Sequence, residues 1–147
     1  MFNNILVVCI GNICRSPMAE ALLKARAPSG VQVHSAGIGA LVNKPADPLA
    51  VQLMQARGID ITGHRARQLM PEMVDQAELI LVMEEGHQRY IRSVSPAACG
   101  KVHTLGKWLE QEIPDPYKKS PEFFASTLAL IEQGVNAWSE KLWKRKN

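Results

Sequence analysis

An α/β fold, built on a four-stranded parallel sheet with helices on both faces, is predicted for this chain by three observations. Short apolar runs alternate with helix-patterned stretches along the whole sequence. Two of the runs are near-continuous Ile, Leu and Val, as in central strands of a parallel sheet covered on both sides. The sequence closes on a long amphipathic stretch suited to docking against such a sheet. At 147 residues, with 46% apolar and 21% charged residues, the chain fits a single domain spanning 1–147.

Taken in order, the first strand is Ile5–Cys9 and the first helix Pro17–Arg26, opened by Ser-Pro, with Met18, Leu22 and Ala25 on one face. Val31–Ser35 is the second strand. Asp47-Pro48 opens the second helix, with Leu49, Leu53 and Ala56 on one face and Gly58 as its stop. A short helix at Pro71–Asp75 precedes the third strand, Leu79–Met83; a helix at Glu85–Ser93 precedes the fourth, Lys101–Leu105. In the last helix Phe124, Leu128, Ile131, Val135, Trp138 and Leu142 recur at alternating steps of four and three, which makes one apolar stripe. Strands and helices in this order wind right-handedly, and ligands then sit beyond the carboxyl ends of the strands. The loops Gly37–Asp47 and Gly106–Pro121 begin or end on that side.

Charge and cysteine usage exclude several function classes. The net charge is +3, but Lys141, Lys144, Arg145 and Lys146 crowd the final stretch, so the basicity marks a cationic helix end and not a nucleic-acid stripe. No apolar run approaches the roughly 18 residues of a membrane span, and the N-terminus lacks a secretory pattern, which gives a cytoplasmic expectation. Cys9, Cys14 and Cys99 suit a reducing compartment and thiol chemistry better than a disulfide framework, and they lack the paired ligands of a zinc site. No role is assigned to Cys99.

The chemistry concentrates in Cys9-Ile10-Gly11-Asn12-Ile13-Cys14-Arg15-Ser16-Pro17, on the turn between the first strand and first helix. Backbone amides from Ile10 to Ser16 can form an anion nest, and the helix adds its positive end. The same fields stabilise a thiolate at Cys9. Arg15 offers a planar fork for two phosphate oxygens. A thiol and a guanidinium at this spacing also fit a buried cysteine beside a solvated arginine; the strand–turn–helix setting with Gly, Asn and Ser-Pro favours the chemistry.

Val7 to Glu20, read through that loop, resembles the signature of the low-molecular-weight protein tyrosine phosphatases. Ser35-Ala36-Gly37, His64-Arg65-Ala66-Arg67-Gln68-Leu69, Leu79 to Glu84 and Ile113-Pro114-Asp115-Pro116-Tyr117 are similar to further blocks of that family, in family order. The resemblance implies that Cys9 attacks phosphorus to form phosphocysteine, that Arg15 and the loop amides hold the equatorial oxygens, and that Asp115 serves as acid and then base. Pro114 and Pro116 stiffen the backbone around Asp115, although such a dipeptide also fits an ordinary turn. Ser16 would donate to the Cys9 thiolate, or cap the helix, or both. The resemblance implies a left-handed Asn12, held by hydrogen bonds with Ser16, Ser35 and His64; asparagine tolerates that conformation. Cys14 is either a redox partner for Cys9 or a small residue filling the loop. His34, His87 and His103 receive no role.

The resemblance also directs the substrate expectation. Tyr117 is followed by Lys118-Lys119-Ser120 where animal-type members carry a second tyrosine, and the flanking Gly39-Ala40-Leu41-Val42 is aliphatic. Both traits are similar to bacterial members paired with tyrosine autokinases of capsule and exopolysaccharide export, so a phosphotyrosine-rich kinase tail is the implied partner. Ile13, Leu41 and Tyr117 would wall a cleft deep enough for an aryl phosphate. No metal or organic cofactor is expected. An arsenate reductase on the same fold needs further redox cysteines, and Leu79–Arg92 has none. A nucleotide-binding P-loop needs Gly-Lys-Ser/Thr where this chain has Cys14-Arg15-Ser16. A non-catalytic phosphotyrosine-binding module would not need both Cys9 and Asp115.

Overall fold

A computed structural model describes residues 2–143. Its parallel sheet has strand order β2-β1-β3-β4, with β1 at Asn4–Cys9, β2 at Gln32–Gly37, β3 at Leu79–Val82 and β4 at Val102–Thr104. Cys9 lies beside Gly37 in register, and Val8 lies between Ala36 and Val82. The two near-continuous apolar runs are therefore the two interior strands, as their composition predicts. The chain leaves β1 toward β2 on one side and returns to β3 on the other. This reversal opens a crevice at the carboxyl end of β1, where the Cys9 loop sits.

Side-chain alternation divides the core into two layers. Ile5, Val7 and Cys9 of β1 and Leu79, Leu81 and Met83 around β3 face the layer formed with α1 (Arg15–Arg26), α2 (Pro48–Gln55) and α5 (Pro121–Leu142). Leu6, Val8, Ile80 and Val82 face the layer of α3 (Pro71–Gln76) and α4 (Glu85–Val94). Helices thus cover both faces. The α5 stripe is buried from Phe124 through Trp138, with Leu142 packed at its edge. Ser120 caps α5 by accepting from the Phe123 amide. Of the basic residues near the C-terminus, Lys144, Arg145 and Lys146 lie outside the described residues.

Three local expectations are corrected. Helix α1 starts at Arg15, with Cys14 in the N-cap position, so Ser16 lies inside the first turn and does not cap it. Its buried face is Met18, Ala19, Leu22 and Leu23, while Ala25 is exposed: small Ala19 lets the helix sit close and rotates the contact by one residue. On α2 the buried positions are Ala50 and Met54, with Leu49 and Leu53 only partly covered and Ala56 exposed. The Asp47 side chain accepts from the Leu49 amide and so fixes the phase of that short helix.

Candidate active site

The loop from Cys9 to Arg15 is built by turning its carbonyls outward. Cys9 O accepts from the Ile38 amide (2.9 Å), Ile10 O from Gly39 (3.0 Å), Gly11 O from Leu41 (3.0 Å) and Ile13 O from Asp47 (2.8 Å). Asn12 O accepts from His64 Nε2 at 2.6 Å, and since a carbonyl only accepts, that ring nitrogen carries the proton. In a planar trans peptide the N–H opposes the preceding C=O, so these tethers aim the amides of residues 10–14 into the loop's interior. The result is an anion nest at the positive end of α1. Asn12 supplies the bend with φ of 61°, the left-handed conformation expected of it. Gly37 permits the loop to lie on β2, because a Cβ there would stand 2.3 Å from Ile10 O.

Around this ring the predicted side chains converge. Cys9 Sγ lies 2.9 Å from Ser16 Oγ. Asn12 Nδ2 donates to Ser16 Oγ (2.8 Å) and Ser35 Oγ (3.0 Å), while Asn12 Oδ1 accepts from the Arg67 amide (2.9 Å). Arg15 is buried, with Nη1 donating to Glu84 Oε2 (2.5 Å) and Ile113 O (2.8 Å), and Nη2 3.8 Å from Asp115 Oδ2. Asp115 Oδ1 accepts from the Tyr117 amide at 3.0 Å, which holds the carboxylate at the cleft mouth. Cys9, Ile10, Gly11, Asn12, Ile13, Cys14 and Arg15 line one cavity of about 140 Å³, closed at the sides by Gly39, Leu41, Asp115 and Tyr117. Leu41 and Tyr117 stand exposed at its rim.

Cys14 is buried and free, and burial, reinforced by Asp47 and by Cys9, pushes its thiol well above the ordinary range. It therefore stays protonated and is no nucleophile at rest. His64 sits behind the loop and Ser35 beneath Asn12. Neither lines the cavity that a phosphate would enter.

Sequence reasoning did not assign several residues found here. Glu84 orients Arg15 and also lies 3.7 Å from His87 Nε2, which places an unassigned histidine beneath the arginine. Ser35 Oγ donates to Glu20 Oε1, and Glu20 Oε2 pairs with Lys24 Nζ at 2.7 Å. Ile113 contributes only its carbonyl. One signal was available: Glu84 follows the carboxyl end of the third strand, the ligand edge of such a sheet. Glu20 lies four residues beyond Ser16, on the same helix face.

Comparison with known proteins settles the family. The profile of the low molecular weight phosphotyrosine protein phosphatases matches residues 4–147. This chain belongs to that family. The phosphatase is 51% identical to the probable low molecular weight protein-tyrosine-phosphatase EpsP of Ralstonia solanacearum, over 97% of each chain. Its fold is that of the tyrosine phosphatase Wzb from Escherichia coli K30 in complex with sulphate, at TM-score 0.92 and 43% identity over 97% of this chain and 99% of that one. It is also similar to the YwlE arginine phosphatase of Geobacillus stearothermophilus, at TM-score 0.89 and 36% identity over 95% and 92%. The expected enzyme class is borne out: this phosphatase hydrolyses phosphotyrosine by way of a phosphocysteine.

Proposed function

We propose that Cys9, Arg15 and Asp115 carry the two steps of this hydrolysis, and that its substrate is the tyrosine-rich tail of a bacterial autokinase governing capsule or exopolysaccharide export. In the first step the Cys9 thiolate attacks phosphorus in line; the S–P bond forms as the P–O(aryl) bond breaks, and Asp115 gives its proton to the departing phenolate. In the second, Asp115 takes a proton from water, the water oxygen attacks phosphorus, and sulfur leaves as thiolate. Arg15 and the amides of Ile10, Gly11, Asn12, Ile13, Cys14 and Ser16 neutralise the equatorial oxygens throughout. The observation that supports this reading is the outward tethering of the loop carbonyls around a sulfur that shares its cavity with the arginine and the carboxylate. A sulphate is held by the Wzb relative, the anion such a ring would take.

Aryl selectivity is supported by the cavity walls. Ile13, Leu41 and Tyr117 are apolar or aromatic and pack against a phenyl ring, whereas a guanidinium there would lose hydrogen bonds without replacement. Phosphoserine is too short to bring its phosphorus to Cys9 past those walls. The site works in the cytoplasm, where an autokinase tail is displayed. Among the described residues no helix is long and apolar enough to cross a membrane.

Turnover of p-nitrophenyl phosphate, a phosphoserine peptide, a phosphoarginine peptide and an autophosphorylated kinase tail tests both halves. The expectation is good turnover of the first and last only. Efficient phosphoarginine hydrolysis rejects the aryl assignment, and a tail left phosphorylated beside another phosphotyrosine protein that is cleaved rejects the partner.

A further inference from the structure

The hydrogen atoms of the buried network behind Cys9 can be counted, and the count singles out Glu20. The Arg67 backbone N–H can only donate, so the Asn12 atom facing it is Oδ1 and the atom facing the two serines is Nδ2. Both amide hydrogens are then spent on Ser16 Oγ and Ser35 Oγ. The Ser16 hydroxyl accepts from Asn12, and its single proton remains for Cys9 Sγ at 2.9 Å. The Ser35 hydroxyl also accepts from Asn12, and its proton goes to the Glu20 carboxylate, which as an anion only accepts. Asn12, Ser16 and Ser35 are all buried, so no hydrogen in the chain is free to wander to solvent.

A second arrangement of the same atoms exists. Rotating the Asn12 amide by half a turn presents Oδ1 to both serines, which then donate to it. Ser16 has no proton left for sulfur, and Cys9 faces only lone pairs. That arrangement sets Nδ2 against the Arg67 N–H, but it satisfies the Ser35 proton with no help from Glu20. With the carboxylate in place the flip is opposed from both ends: at the Arg67 N–H, which would face Nδ2, and at Glu20, which would lose the one proton of Ser35.

We propose that Glu20 is a positioning residue for the sulfur chemistry: by accepting the Ser35 proton it holds Asn12 in the orientation that leaves Ser16 donating to Cys9. Lys24 anchors the far carboxylate oxygen at 2.7 Å. Glu20 belongs to the wall of a separate cleft of about 610 Å³ behind the loop, and among the described residues this cleft shares no wall with the catalytic cavity. It therefore acts on the sulfur through Ser35, Asn12 and Ser16 and never touches substrate. Its effect falls mainly on the second step, when sulfur leaves phosphorus as an anion and needs the Ser16 proton.

Stopped-flow hydrolysis of p-nitrophenyl phosphate by the whole chain tests this. Glu20→Leu, which keeps cleft water from replacing the carboxylate, lowers kcat by about tenfold and lets phosphocysteine accumulate as a larger burst. Glu20→Gln, whose amide oxygen still accepts from Ser35, keeps most of the wild-type rate. Adding Ser35→Ala to Glu20→Leu removes the hydroxyl that needs an acceptor, so the double variant recovers to the level of Ser35→Ala alone. A merely structural role for Glu20 makes the double variant worse than either single one, and that result overturns the proposal. So does a wild-type rate for Glu20→Leu, or a Gln variant as slow as the Leu variant. Glu20→Met carries the same expectations should the Leu variant fold poorly. The inference rests on Cys9 being the nucleophile, and Cys9→Ser in the same assay tests that separately, since only there is turnover lost outright.

Discussion

Arg15 donates to the carbonyl of Ile113 at 2.8 Å, two residues before Asp115. The arginine that would hold the phosphate therefore also fixes the loop carrying the proposed acid. Ile113 is fully buried and its amide bonds to Met83 O, so the contact ties the acid loop to the end of β3 as well. In the proposed mechanism, phosphate binding and proton donation would be coupled through this one side chain.

Arg15→Lys should accordingly damage both functions. Lysine keeps a positive charge but cannot fork between phosphate, Glu84 and Ile113 O. The expected result is a rise in KM together with a fall in kcat, whereas Asp115→Asn lowers kcat by about 10²–10⁴-fold with little change in KM. Steady-state kinetics with p-nitrophenyl phosphate checks both; an Arg15→Lys variant altered only in KM contradicts the coupling.

Two glycines hold the loops through close approach. A Cβ at Gly37 meets Ile10 O at 2.3 Å, and one at Gly106 meets Gln111 O at 1.7 Å. Gly37→Ala should distort the anion nest and raise the inhibition constant for inorganic phosphate. Gly106→Ala, at the neck of the acid loop, should lower kcat while leaving phosphate inhibition near the wild-type value. Exchange of these two phenotypes would show that the loops are not positioned as described.

Oxidation tests the second cysteine. Were Cys14 the redox partner of Cys9, peroxide would convert Cys9 to a sulfenic acid, and attack by the Cys14 sulfur, giving up its proton, would form the disulfide and release water. Wild-type activity lost to peroxide should return with dithiothreitol, while Cys14→Ser should be lost permanently. Equal recovery of the two proteins, with no Cys9–Cys14 link on mapping, contradicts a protective role.

Acid should destabilise the fold through its histidines. Burial, and next the Arg15 guanidinium, lowers the His87 imidazole below its ordinary 6.5, against the opposing pull of Glu84, Glu112 and Asp115. Burial likewise lowers His34 and His103, helped by Arg67 and Lys107 respectively. Below about pH 6.5 the unfolded chain then binds protons that the folded one refuses, so stability present above that pH is lost as the pH falls. Urea midpoints should drop between about pH 7.5 and pH 5.5, and His87→Gln should make the drop shallower. An unchanged slope in that variant removes His87 from the account.

Much of this was legible in the sequence, for physical reasons that differ by element. A strand covered on both faces must be apolar throughout, so β1 and β3 announced themselves and with them the edge where Cys9 lies. The α5 stripe was legible because a long helix docked on a sheet repeats its burial at fixed steps. Residues 9–17 were legible because an anion nest demands particular types: a left-handed Asn12, a thiol, a guanidinium. The buried faces of α1 and α2 lie about one residue from those the periodicity predicts, since Ala19 and Ala50 mark close approach and carry little hydrophobic signal. Glu84 and Glu20 went unassigned because a charge declares its partner only in three dimensions: Arg15 is 69 positions from Glu84, and Ser35 is 15 from Glu20 on a different element.

The central claim is that phosphate passes through the sulfur of Cys9. Acid quench of the enzyme within milliseconds of mixing with p-nitrophenyl phosphate, followed by peptide mapping at low pH, tests it most directly. The account predicts phosphate on the peptide bearing Cys9, attached at that sulfur and absent from Cys14, with a burst of nitrophenol equal to the phosphate trapped on that peptide. Phosphate found on a histidine or on Cys14, or a burst with Cys9 unmodified, would contradict it.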